Sequence, residues 1–168
     1  SKNMIYQGSS KDALLKGEVK ITGGLGFIDD VIVDTHFVQR GRIGRLLYAA
    51  ASNPGILGIG LGEDTGLYIQ GNTMEAIGSG MVILVDGRQI KDTNLTQVEL
   101  GQPVSINNLV VHVMSKYDTY DLKTNKAERI SQLIHQFESE GNVNIQAVTD
   151  YEGLFSSTDW SGFTAQQK

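Results

Sequence analysis

The chain has 168 residues, a net charge of −5 and no cysteine. That length suits one domain with a real core, or part of a larger one, and the acidic balance argues against general affinity for nucleic acid or anionic membranes. Without cysteine there is no disulfide framework, thiolate nucleophile or cysteine zinc site, and no apolar run approaches the ~20 residues that a membrane span requires.

Residues 1–20 are mixed and polar, a short helix or loop with Leu14, Leu15 and Val19 as core candidates. Gly23-Gly24-Leu25-Gly26-Phe27-Ile28 follows as a glycine-rich connection. Val31-Ile32-Val33 is a continuous β-branched run, the pattern of a short strand covered on both faces. From Gly41 to Ser52 the periodicity turns helical, with Ile43, Leu46, Leu47 and Ala50 on one side, and Asn53-Pro54-Gly55 stops it. Ile56 to Leu61 is a second apolar run whose clustered glycines point to close backbone approach. Strand, helix and strand in about 30 residues have the dimensions of a right-handed βαβ unit with parallel strands.

Downstream, Leu67–Gln70, Ala76–Gly78, Met81–Asp86 and Val110–Met114 are expected as short antiparallel strands capping the parallel sheet, with Asp86-Gly87 as a hairpin turn. Lys126–Glu140 has Ile130, Leu133, Ile134 and Phe137 at helical spacing. The resulting division is an α/β domain portion over 1–145 and a polar tail or docking segment over 146–168.

The βαβ reading carries the chemistry. Ligands of open α/β sheets bind beyond the carboxyl ends of the strands. His36 lies just past the first strand and Glu63 just past the second, and adjacent parallel strands are ~5 Å apart. An imidazole base and a carboxylate that orients it are therefore expected to meet. A serine-type mechanism also needs a nucleophile. Ser79, in Gly78-Ser79-Gly80, lies between two strands, and neither it nor Ser1 has a strand-to-helix elbow. Arg40, Arg42 and Arg45 open a helix, where positive charge opposes the macrodipole, and an anionic substrate would offset that cost. Asp34 would position an arginine or meet a cationic substrate group. A metal held by Asp34 and His36 lacks further ligands, so no cofactor is expected. His112 and His135 fall in apolar-patterned segments and are expected to be structural.

Several of these residues also match a known pattern. Asp34-Thr35-His36-Phe37, Arg40-Gly41-Arg42, Arg45-Leu46-Leu47, Gly58-Ile59-Gly60, Glu63-Asp64-Thr65 and Gly78-Ser79-Gly80, in that order from about Gly23 to Val113, resemble the cyanophycinase family of peptidase E-like serine peptidases. The resemblance implies a Ser-His-Glu triad on a flavodoxin-like α/β fold related to class I glutamine amidotransferases. It makes His36 the base and Glu63 the third member, and gives Asp34, Thr35, Arg40, Arg42 and Arg45 to the substrate pocket. The implied substrate is cyanophycin, a poly-aspartate carrying arginine on its side-chain carboxyls, released as β-Asp-Arg dipeptides. Thr35 departs from the family's Gln. The nucleophile elbow, of the Gly-Thr-Ser-Ala-Gly type, is expected a few residues upstream of Ser1, which makes this chain the carboxyl-terminal part of the enzyme. Its partners would then be the amino-terminal half, an acidic β-aspartyl peptide and a second copy in a homodimer. The expected compartment is cytoplasmic, with secretion as the alternative. A non-catalytic anion-binding domain and a hydrolase of another β-aspartyl substrate are the competing readings.

Overall fold

The computed structural model describes Ser1 and residues 3–128. Among these residues, twelve strands and one α-helix follow in chain order: β1 (Asn3–Gln7), β2 (Lys20–Gly23), β3 (Val31–Asp34), α1 (Ile43–Ser52), β4 (Leu57–Leu61), β5 (Thr65–Gln70), β6 (Thr73–Gly78), β7 (Val82–Asp86), β8 (Asp92–Thr93), β9 (Ile106–Asn107), β10 (Val110–Met114), β11 (Thr119–Asp121) and β12 (Lys126–Glu128). No helix among the described residues is long and apolar enough to cross a membrane.

The central sheet has the order β10-β7-β4-β3. Strands β3 and β4 are parallel, in register from Val31↔Leu57 to Asp34↔Gly60, and α1 joins them as the sequence pattern requires. The other pairs are antiparallel. A second antiparallel sheet, β12-β11-β6-β5, packs on one face of the first. The arrangement is α/β, with one parallel pair among the described strands.

Alternation along β4 explains both faces. Leu57 and Ile59 point into a core shared with Val82, Leu84, Met114, Met74, Ala76 and Tyr120. Gly58 and Gly60 face the other way, where Leu46 of α1 and Phe37 lie against the strand. A Cβ at Gly60 would sit 2.7 Å from Phe37 Cε1 and nearer still to Cγ and Cδ1. The missing side chains thus make room for two fully buried large ones.

Four sequence expectations change. Residues 3–7 form a strand paired with β2 rather than a helix or loop, and there Ile5 and Ala13 join Val19 in the core while Leu14 is exposed. Ile43 is also exposed, at the open start of α1. Asp86-Gly87 does not make a hairpin. The Asp86 carboxylate accepts the Arg88 N–H at 2.9 Å and caps a 3-10 turn, Gly87–Gln89, and the chain returns to β7 only at β10. The tight hairpin turn is at Gly71-Asn72, between β5 and β6, where Gly71 takes φ +59°. Finally, residues 126–128 pair with β11 as a strand instead of opening a helix. The remainder of that expected helix, the boundary near residue 145, the tail and His135 lie outside the described residues.

Candidate active site

Residues 36–42 form the connection from β3 into α1, folded as a compact turn in which Arg40 N–H bonds the His36 carbonyl at 3.2 Å and Arg42 N–H bonds the Phe37 carbonyl at 3.0 Å. Phe37 is the anchor. Its ring is buried against Gly60, and its N–H donates to the Leu61 carbonyl at 3.0 Å. The preceding residue pays in backbone conformation: His36 has φ +48°, a left-handed geometry that disfavours most side chains and often accompanies functional sites. The imidazole is thereby turned outward at the carboxyl end of the parallel pair.

Glu63 stands in the loop after β4, followed by Asp64 at φ +52°. Its Oε1 lies 3.3 Å from His36 Nδ1, and both side chains are more than half exposed. With Nδ1 facing the carboxylate, Nε2 is the nitrogen left to accept a proton. The loop is backed by the Gly78-Ser79-Gly80 turn. Ser79 N–H donates to the Asp64 carbonyl at 2.9 Å, and a Cβ at Gly80 would fall 2.6 Å from the Glu63 carbonyl oxygen. Ser79 therefore serves a tight β6–β7 turn, without the strand-to-helix elbow of a nucleophilic serine.

The five residues expected to bind substrate divide by burial. Asp34, at the end of β3, is 4% exposed and Arg45 is 7% exposed. Arg45 grips both carboxylate oxygens, Nε to Oδ2 at 2.6 Å and Nη2 to Oδ1, and its Nη1 reaches the Gly8 carbonyl at 3.5 Å. Arg42 Nη1 bonds Asp34 Oδ1 at 3.2 Å and the Thr35 carbonyl at 2.7 Å. Partial burial and the charge of Arg45, opposed by Asp34, lower the Arg42 pKa, yet a guanidinium so placed stays charged. The positive charge at the start of α1 is thus offset by Asp34 from within the fold, where an external anion had been expected to do so. Thr35 and Arg40 are exposed, and the Arg40 side chain makes no hydrogen bond or ion pair among the described residues. No group of three metal-ligating side chains occurs among the described residues.

No family model matches the chain. It is 38% identical over 126 residues to the cyanophycinases of Synechococcus elongatus and Thermosynechococcus vestitus, covering 74% of this chain and 39% of each relative. It is 39% identical over 125 residues to the cyanophycinase of Geminocystis herdmanii, covering 74% of this chain and 46% of that protein. The chain is cyanophycinase-like. It spans less than half the length of these curated relatives.

Within this cyanophycinase-like chain, sequence reasoning missed Gln39, whose Oε1 accepts the Glu63 N–H at 3.3 Å. Its only signal in the sequence is its place three residues after the histidine. The Asp86–Arg88 pair, away from this site, was missed as well. Arg88 binds both Asp86 oxygens at 2.7 and 2.9 Å and the Tyr120 hydroxyl at 2.6 Å, which ties the two main sheets together.

Proposed function

We propose that this chain supplies the base and its orienting carboxylate to a serine-type exopeptidase that hydrolyses cyanophycin and releases β-Asp-Arg. In this reading His36 accepts the proton of the attacking serine through Nε2, and Glu63 stabilises the imidazolium that forms. The serine itself comes from an upstream segment, on strands that would extend the β3 side of the sheet toward a flavodoxin-like arrangement. The exposed Arg40 and the partly exposed Arg42 face the anionic parts of the substrate beside Thr35. Asp34 and Arg45 act from below, by holding Arg42 and the strand end in place.

The observation that carries the reading is the contact of 3.3 Å between His36 Nδ1 and Glu63 Oε1. Two exposed loops on adjacent parallel strands present it with the other imidazole nitrogen free of hydrogen bonds among the described residues. Similarity to proteins named cyanophycinase supports the substrate class. The competing anion-binding reading needs several uncommitted arginines, and two of the three are already bonded to Asp34.

The test is dipeptide release from cyanophycin by the protein as its natural gene encodes it. His36→Ala is expected to lower kcat by at least ~10³-fold, and Glu63→Gln by about 10³–10⁴-fold. Full activity in either variant removes that residue from the mechanism.

A further inference from the structure

An ion pair as exposed as His36 and Glu63 contributes about 0–1 kcal/mol, too little to hold two loops in register. The carboxylate must therefore be aimed by its own backbone. From below, the Gly78-Ser79-Gly80 turn supports residues 63–65 through the Ser79 N–H on the Asp64 carbonyl, and Thr65 Oγ1 donates to the Glu63 carbonyl at 3.0 Å. From the side, the Glu63 N–H donates to Gln39 Oε1 at 3.3 Å. Gln39 belongs to the same tight turn as His36, closed by the Arg40 N–H on the His36 carbonyl and locked to β4 by the buried Phe37. Apart from His36, it is the only side chain of residues 35–42 that hydrogen-bonds the Glu63 loop among the described residues.

We propose that Gln39 is a positioning residue for the His36–Glu63 pair. Its amide oxygen fixes the Glu63 backbone relative to the His36 turn, so that the carboxylate stays on Nδ1. The neutral imidazole then carries its proton on Nδ1 and leaves Nε2 unprotonated. The inference rests on the catalytic reading of the pair, and it concerns a residue that acts through Glu63 without touching substrate.

The tautomer of His36 is the direct readout. It is measured by ¹⁵N spectroscopy of histidine-labelled protein, encoded by its natural gene, at a pH above the imidazole titration, with His36→Gln to assign the resonance. The unsubstituted protein is expected to show mainly the Nδ1–H form. Gln39→Met, of similar shape but without the acceptor, is expected to lower the Nδ1–H to Nε2–H ratio about fivefold, the equivalent of one neutral hydrogen bond. Gln39→Glu keeps the acceptor and is expected to keep the ratio. With cyanophycin, Gln39→Met should lower kcat about tenfold while KM stays within about twofold, since the lost interaction serves the transition state. An unchanged ratio in Gln39→Met, or an equal loss in Gln39→Glu, overturns the proposal. Glu63→Met, which removes the acceptor, separates the two levels: if it shifts the ratio and Gln39→Met does not, the role of Gln39 fails alone. If it shifts nothing, the pairing and the catalytic reading fail together.

Discussion

Replacing Asp34 by alanine is the sharpest test of how the strand end is built. The carboxylate accepts three side-chain hydrogen bonds, from Arg45 Nε at 2.6 Å, from Arg45 Nη2, and from Arg42 Nη1 at 3.2 Å. With Asp34 4% and Arg45 7% exposed, water cannot replace them readily. Asp34→Ala therefore leaves a buried guanidinium without its counter-ion, a change that costs about 3–5 kcal/mol. Against a total stability of about 5–15 kcal/mol this is a large share. With a urea slope of about 2 kcal/mol/M, the unfolding midpoint should fall by ~2 M, followed by far-UV circular dichroism. Arg40→Ala, at an exposed side chain with no hydrogen bond or ion pair among the described residues, should stay within about 0.5 kcal/mol of the parent. Pairing Asp34→Leu with Arg45→Met should recover most of the loss, because an apolar pair of similar volume avoids the desolvation cost. A loss below about 1 kcal/mol in Asp34→Ala, the range of a surface pair, would refute the buried-pair account and return Asp34 to a purely substrate-facing role.

Gly60→Ala would drive a methyl group into the buried Phe37 ring, so thermal unfolding should show a loss of about 1–3 kcal/mol, with His36 displaced in the same variant. At His36, glycine relieves the φ of +48° and alanine does not, so His36→Gly should be about 1 kcal/mol more stable than His36→Ala by chemical unfolding; equal stability would show that the backbone relaxes there without strain. Burial pushes the Asp86 carboxyl up, but hydrogen bonds and charge from Arg88 outweigh it and hold its pKa below the ordinary value. The unfolded chain then takes up the proton first, so this pair's stabilisation is full above the ordinary carboxylate range and is lost as pH falls below ~4 through the folded value. In Arg88→Met the side-chain bonds and the charge are lost while the backbone N–H at position 88 still donates to the carboxylate, so the loss of stability over that limb should become smaller.

The βαβ unit was legible because its two signals are local and agree. A β-branched run and an L-G-I-G-L run flank one helical period, and between them they place His36 and Glu63 at neighbouring strand ends. What escaped depended on distant partners. Nothing near Asn3–Gln7 announces that Lys20–Gly23 will pair with it, and the helix-forming Lys-Ala-Glu at 126–128 takes strand geometry because β11 offers an edge. Asp86-Gly87 has hairpin composition, yet the carboxylate that would favour a tight turn is committed to Arg88.

The same distinction separates two meanings of charge beside the histidine. Three arginines at the start of a helix look like a receptor for anions when the only ledger is the helix dipole. The buried carboxylate that pairs with two of them, Asp34, stands eight and eleven residues before Arg42 and Arg45. Sequence cannot say whether Asp34 points toward solvent or inward; β3 is covered on both faces, and Asp34 lies buried with most of the strand. Charge near the site thereby acts at two depths. The inner pair fixes where β3 ends and α1 begins, and so where His36 turns outward. Arg40, left outside that balance, is exposed and its side chain makes no hydrogen bond or ion pair among the described residues; if it meets substrate as proposed, substitutions of Arg45 should register first in stability and those of Arg40 first in KM.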